Sequence, residues 1–359
     1  MKVLHIETGR HLYGGALQVF YLLRGLHAAG IENILVCSPG SEIARKCAGI
    51  ATIVELPTVG DIDPRLLIGL CQTIRRHRPD IVHAHSRRGA DWWGGIAAQF
   101  CGVKSVLTRR VDNPESALLV RLKYSRFDRV VTISEGIRQV LLSEGVAEKH
   151  VELIHSVVDL EQYNCQADRP WFEQEFSLLP GDKTVAIIAQ LIERKGHRFL
   201  LAGAEKILTA VPNLRFIFFG QGPQRQELEA DCRARGLAEK VIFAGFRNDL
   251  PRVLPNLDLV VHPALMEGLG VSLLQAAAAG RPMIGARAGG IPEIIRNGVN
   301  GYLVPPEDVT LLADKIMELL LNRELAETFG ANGRALVEKE FSIPAMISSY
   351  QRLYAQLLR

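Results

Sequence analysis

Short β-branched runs alternate with longer stretches of helical periodicity, and this alternation limits the fold more than any other feature. In the first half the runs are KVLHIET, NILVCS, ATIVEL, DIVHAH, KSVLT, RVVTIS and VELIH. After a lapse they resume as TVAIIAQ, LRFIFFG, KVIFAG, LDLVVHP and PMIGAR. Nearly continuous apolar strands separated by helices indicate parallel sheets covered on both faces. The chain has 359 residues, more than one hydrophobic core usually serves, so two doubly wound α/β domains are expected. The lapse spans 159–183, where Pro170, Pro180 and Gly181 cluster, and the boundary is expected at about residue 165.

Composition excludes several classes. A net charge of +3 is too small to argue for nucleic acid, although basic clusters at 75–78, 87–88 and 109–110 leave a local anionic partner open. The six cysteines form no C-x-x-C pair and have no His-rich neighbours, which fits reduced thiols in a cytoplasmic protein better than disulfides or a zinc site. No export signal is read at the amino terminus. The apolar stretch 259–280 contains Pro263, Glu267 and several glycines, which argues against a membrane span.

In open parallel sheets ligands bind beyond the carboxyl ends of the strands, so the strand-to-helix turns are the candidate sites. Gly14 and Gly15 open a helix and permit close approach of an anion or sugar, or serve turn geometry alone. They do not form the G-x-G-x-x-G dinucleotide fingerprint. Lys195 and Gly196 follow a buried strand, where a cation beside free helical amides suits a diphosphate. Gly222 lies in a tight turn that faces a nucleotide or merely closes a βα unit. Phe246, Arg247 and Asn248 can offer a ring and backbone groups to a base. Glu267 is the only certain charge between Leu259 and Gly280, and Gly268, Leu269, Gly270 and Val271 follow it into a helix start. The acid suits sugar hydroxyls and the amides suit phosphate, the alternative being a helix cap.

In order, these turns resemble the retaining glycosyltransferases of family four, also called glycosyl transferase group 1. The most specific part is EGLGVSLLQAAAAGRPMIGARAGGIPEIIRNGVNGYLVPPED, residues 267–308, similar to the family's E-x7-E and downstream Gly-rich segments. The resemblance implies the GT-B fold, two Rossmann-like domains facing across a cleft. It places 1–165 plus 341–359 in an acceptor-binding domain, the last helix crossing back, and 166–340 in a nucleotide-sugar domain. It also implies no metal and no cofactor, with a nucleotide-diphosphate sugar as co-substrate.

Carried over by position, Glu267 binds donor hydroxyls, the amides around Leu269 to Val271 meet sugar and phosphates, and Lys195 neutralises the diphosphate. Gly14 and Gly15 admit the donor phosphate, and Phe246 to Asn248 sit near the base. Three departures stand out. The second acid of E-x7-E falls at Gln275, and the arginine that usually partners the lysine falls at Gln190. Where the family commonly has T-x-H, this chain has Thr108-Arg109-Arg110. Arg110 cannot serve as a base but can clamp donor phosphates or an anionic acceptor. The implied activity is retaining transfer of a sugar to an acceptor hydroxyl by a front-face mechanism, with Glu267, Lys195 and Arg110 as the catalytic groups.

The acceptor side is less defined. His85, Arg87 and Arg109 are its candidates, and His85 equally fits a structural histidine. Residues 115–129 mix Leu118, Leu119 and Leu122 with Arg121, Lys123, Arg126 and Arg129, as an interfacial helix or a solvated basic face would. The interfacial reading points to an anionic membrane surface and a lipid-linked or lipopolysaccharide saccharide as acceptor. A nucleotide-sugar epimerase or hydrolase and a non-catalytic sugar-nucleotide binding protein are the alternatives.

Overall fold

The computed structural model describes residues 1–12, 14–57, 63–85 and 89–359, so Arg87 lies outside the described residues. Two compact units divide the chain, Met1–Val157 with Ile343–Arg359, and Val158–Ser342. The Gln18 side chain donates to Val157 O at 2.7 Å and accepts from Val157 N–H at 2.8 Å, fixing that residue in the first unit. The next amide, Val158 N–H, donates to Phe341 O at 3.0 Å within the second. The break therefore precedes residue 165. Residues 158–182 are not a loose connector, because Tyr163 and Phe172 are buried and Arg169 donates to Asn256 O.

In the first unit the strands are β1 (Lys2–Glu7), β2 (Glu32–Cys37), β3 (Thr52–Glu55), β4 (Ile81–Ala84), β5 (Lys104–Arg109), β6 (Arg129–Thr132) and β7 (Val151–Leu153). They form one parallel sheet in the order β3-β2-β1-β4-β5-β6-β7. One face carries Val3, Leu35, Ile81 and Val106 into a core shared with the helix Gly14–Ala28 and with Met346, Tyr350, Leu353 and Tyr354 of the carboxyl-terminal helix Ile343–Leu357. The opposite face packs Leu4, Ile6, Ile34 and Val82 on Leu66, Leu70 and Ile74.

The second unit contains β8 (Lys183–Ile188), β9 (Leu214–Phe219), β10 (Val241–Gly245), β11 (Leu259–His262), β12 (Met283–Ala286) and β13 (Gly301–Val304), ordered β10-β9-β8-β11-β12-β13 and all parallel. Strand β13 has no counterpart among the sequence runs, being four residues long and beginning at glycine. The sheets share one plan. From β1 the chain winds outward to β3 and then resumes on the other side at β4, and from β8 it winds to β10 and resumes at β11. Neighbouring connections leave in opposite directions at these two places, opening a crevice at the carboxyl ends. Among the described residues no helix is long and apolar enough to cross a membrane.

Candidate active site

Strands β8 and β11 flank the reversal point of the second sheet, and the turns beyond them bring together two of the expected residues. After β8 a short turn, Glu193–Lys195, ends at Gly196 and leads into the helix His197–Ala210. Gly196 has φ +73°, and a Cβ there would lie 1.9 Å from Pro263 O, so the turn needs glycine to rest against the segment after β11. Leu265 N–H donates to Arg194 O at 2.8 Å and locks the same contact. Glu267 is held similarly. Gly289 has φ +50°, a Cβ there would stand 1.8 Å from Glu267 O, and Gly290 N–H donates to that oxygen at 3.1 Å.

These contacts place the Lys195 ammonium 2.6 Å from Glu267 Oε2. His262, the last residue of β11, brings Nε2 to 2.5 Å from the same oxygen, and Gly268 N–H donates to Oε1 at 3.1 Å. Since the carboxylate can only accept, His262 carries its proton on Nε2. Burial alone would raise the Glu267 carboxyl, but the His262 hydrogen bond and the Lys195 charge outweigh it and hold the group well below the usual carboxylate range. The acid remains ionised, with a lone pair of Oε1 available toward a hydroxyl. Lys195 shows one side-chain hydrogen bond among the described residues, leaving N–H groups for an anion.

The sequence reading passed over His262, although a polar residue closing an otherwise apolar strand five positions before the acid marks it. His197 was passed over too. It is buried, packs edge-on to Phe218 with centroids 5.1 Å apart, and among the described residues has no hydrogen bond at either ring nitrogen. Burial, then the His262 and Lys195 charges, pushes it down to about 3 from 6.5. Between those values the unfolded chain binds the proton and the folded chain does not, so this contribution to stability falls as pH drops through that window. By about pH 5 the loss is on the order of 2 kcal/mol. Calorimetric melts are expected to show a smaller decline from about pH 7 to 5 in His197→Leu than in the parent, and parallel profiles would contradict this.

The other expected donor residues lie beyond the carboxyl ends of the same sheet. Gly270, with φ +99°, caps the helix Val271–Ala278, whose first amides lack intrahelical acceptors. Leu269 is buried, so only its backbone is available to a ligand. Gln275 is half-buried on that helix, and Gln190 is exposed just after β8. Gly222 folds against Leu191, whose oxygen a Cβ would approach to 2.2 Å. Phe246 and Asn248 are exposed after β10. The Arg247 guanidinium bonds both oxygens of Asp249, at 2.7 and 2.5 Å, and Glu175 at 2.5 Å, which leaves the expected contact with a base to its backbone groups.

In the first unit a cavity of about 320 Å³ opens beside the β1–β4 reversal, lined by Glu7, Arg10, Gly15, His85, Arg110 and Lys123 among others. Gly14 is exposed at the start of its helix, and a Cβ on Gly15 would touch Arg110 Cδ at 3.5 Å. Among the described residues Arg110 donates once, to Ser156 Oγ at 3.4 Å, and its buried Nε has no partner. Burial pushes its guanidinium below the ordinary value, against the opposing influence of Tyr350 and Glu7. An under-bonded cation beside a cavity is an anion receptor in chemical terms.

Arg109 lines the same cavity but has most of its donors engaged within the fold. It is 4% exposed and donates to Val111 O, Tyr124 Oη, Glu144 Oε2 and Asn113 O, so four of its five N–H groups brace the fold. Lys123 also leaves the surface, reaching Asp91 at 3.2 Å and Glu115 at 2.8 Å. The leucines of the helix Ala117–Tyr124 remain outside, with Leu118 69%, Leu119 48% and Leu122 44% exposed. His5, His83 and His85 bring ring nitrogens within 4.8 Å of one another. His83 spends both of its nitrogens on hydroxyls, Tyr354 and Thr108, each at 2.7 Å, while His5 Nδ1 lies 3.0 Å from His85 Nε2.

Comparison with known proteins agrees with this architecture. The family model described as glycosyl transferases group 1 matches residues 169–336, and that of glycosyltransferase family 4 matches residues 13–162. The chain is 25% identical over 367 residues to the lipopolysaccharide core biosynthesis glycosyltransferase LpsE of Rhizobium meliloti, covering 99% of each chain. It is 26% identical over 306 residues to the N-acetyl-alpha-D-glucosaminyl L-malate synthase of Bacillus anthracis, covering 83% of this chain and 80% of the relative. HepE of Anabaena, solved with UDP-glucose, superposes with a TM-score of 0.85 at 20% identity, covering 99% of this chain and 100% of its own, and shares the fold. The chain belongs to the group 1 glycosyl transferases and is a glycosyltransferase of the GT-B fold.

Proposed function

We propose that the protein is a metal-independent, retaining glycosyltransferase that moves a sugar from a nucleotide-diphosphate sugar to a hydroxyl of a cell-envelope saccharide. The Lys195–Glu267–His262 arrangement carries the reading: an ionised acid with a vacant lone pair, fixed beside an ammonium group at the reversal point of the sheet. Glu267 Oε1 accepts hydrogen bonds from the donor sugar's hydroxyls, while Lys195 and the amides opening Val271–Ala278 receive the diphosphate. Gln275 bonds ribose hydroxyls without a charge, and Gly222, Phe246 and Asn248 border the base.

Arg110 meets an anionic group of donor or acceptor, and Gly14 and Gly15 leave room for it. The departing phosphate takes the acceptor hydroxyl's proton on the face it leaves. Attack on that same face retains the anomeric configuration, while Lys195 and Arg110 stabilise the growing charge of the phosphate. The full-length match to a lipopolysaccharide core enzyme supports an envelope saccharide as acceptor. A thermal-shift screen of UDP-, GDP- and ADP-sugars tests the donor class, because a ligand that binds the native state raises its melting temperature. One nucleotide series is expected to raise it with EDTA present, and a flat response throughout would remove the reading.

The exposed leucines of Ala117–Tyr124, with Arg121 and Arg126 beside them, suit peripheral attachment to an anionic cytoplasmic membrane face. Co-sedimentation with phosphatidylglycerol vesicles is expected at low salt, to be lost at high salt, and to be lost in Leu118→Asp/Leu122→Asp. Equal sedimentation of parent and variant would contradict the assignment.

A further inference from the structure

Charged side chains crowd the cavity of the first unit, and most of them close on one another. Lys123 Nζ lies 3.2 Å from Asp91 and 2.8 Å from Glu115. Arg109 lies 3.0 Å from Glu144 and 3.9 Å from Glu115. None of these side chains is more than 13% exposed, so together they form an ionic wall braced from within. That wall holds three acids to two cations.

Arg10 and Arg110 line the same cavity and stand apart from the wall. The segment carrying Arg10 is fixed through its backbone: Arg10 O accepts from Glu42 N–H at 3.0 Å, and Leu12 N–H donates to Glu42 Oε2 at 2.6 Å. Arg10 itself is exposed, and its side chain has no hydrogen bond or ion pair among the described residues. Arg110 is half-buried with its Nε enclosed, so its terminal N–H groups are what a ligand in the cavity meets. A guanidinium partly withdrawn from water and poorly bonded is costly, and a bound anion removes that cost. The remaining acid of the lining is Glu7, whose Oε1 accepts from Gly9 N–H at 2.9 Å. Two arginines set against one acid, beside a wall with an acid in surplus, suit a ligand bearing one negative charge better than a ligand bearing two.

We propose that Arg10 and Arg110 hold a carboxylate of the glycosyl acceptor, that the acceptor is an acidic saccharide of the uronic acid class, and that Arg10 is the residue that selects it. The inference rests on the transferase reading and commits this cavity, lined by residues of the first unit alone, to the acceptor. A carboxylate carries one charge on two coplanar oxygens and matches the guanidinium fork, whereas a phosphate monoester carries roughly 1.5 to 2 charges at neutral pH. Arg110 has N–H donors beyond the two that a carboxylate takes, so this contact is compatible with its role toward the leaving phosphate.

Ligand-observed NMR titrations of the full chain with small sugars test this without a known donor or acceptor. Methyl glucuronide and methyl galacturonide are expected to bind at least about tenfold more tightly than methyl glucoside, and glucose 6-phosphate more weakly than the glucuronide. Arg10→Gln should fold as the parent does, because the side chain it replaces is exposed and unbonded among the described residues. It should lower glucuronide affinity by about tenfold and leave that of the glucoside in place. Arg110→Met should lower glucuronide affinity likewise, and Arg10→Lys should restore part of what Arg10→Gln loses. Tighter binding of glucose 6-phosphate than of the glucuronide overturns the assignment to a carboxylate. Equal binding of glucuronide and glucoside, binding of neither, or a glucuronide affinity indifferent to Arg10→Gln overturns the site. Failure of the transferase reading would be read separately, as absence of any donor-induced thermal shift.

Discussion

Glu267→Ala is expected to lower both transfer and stability. In the parent, Glu267 Oε2 holds the Lys195 ammonium and His262 Nε2 at 2.6 and 2.5 Å, each side chain largely withdrawn from water. Removing the acid leaves an unpaired ammonium and an unsatisfied imidazole, a change that costs about 3–5 kcal/mol in buried pairs. For a unit of this size the melting temperature should fall by roughly 6–20 °C. The donor sugar loses a charged hydrogen-bond acceptor at the same time, and transfer should fall by on the order of 10²–10³-fold. Glu267→Gln keeps the shape and one acceptor oxygen, so it should recover part of the stability and little of the transfer. An alanine variant with parental kcat/KM would overturn the role of Glu267.

Arg110 should separate the two effects. Arg110 is half-buried beside the cavity with its Nε withdrawn from water, and among the described residues it makes a single long hydrogen bond, so the fold gains little from its charge. Arg110→Met retains much of the volume and removes the desolvated cation, and stability should be unchanged or higher by about 1 kcal/mol. Transfer should nevertheless fall by on the order of 10²-fold, the scale for losing one preorganised group at developing charge. Arg110→Lys should rescue only part, because an ammonium cannot reproduce the planar fork. Calorimetric melts beside kcat/KM for both variants provide the check, and loss of stability in Arg110→Met would make the residue structural.

Much of this organisation was legible in the chain. Continuous apolar runs such as TVAIIAQ and LDLVVHP marked β8 and β11 because strands buried on both faces leave little room for polar residues. Glu267 and Lys195 stood out for the converse reason, as charges following such runs. Strand β13 escaped because four residues starting at glycine carry too little pattern. Arg109 and Arg110 are adjacent, chemically identical and both line the cavity, yet alternation along the chain ties one to Glu144 and Tyr124 and leaves the other with a single long hydrogen bond among the described residues. His262 and Asp249 were opaque for a related cause: their roles depend on which partner the fold brings to them, and spacing carries no record of that.

Calorimetric titration of the parent and Glu267→Gln, with EDTA present, addresses the central claim most directly. Each protein would be titrated with the nucleotide sugar selected by thermal shift and with its parent nucleoside diphosphate. If Glu267 holds the sugar and Lys195 the diphosphate, the substitution should weaken the nucleotide sugar by at least about tenfold, the equivalent of one hydrogen bond to a charged group. The nucleoside diphosphate should bind both proteins alike. Equal weakening of both ligands, or unchanged binding of the nucleotide sugar, would contradict the assignment of Glu267 as the donor-sugar anchor.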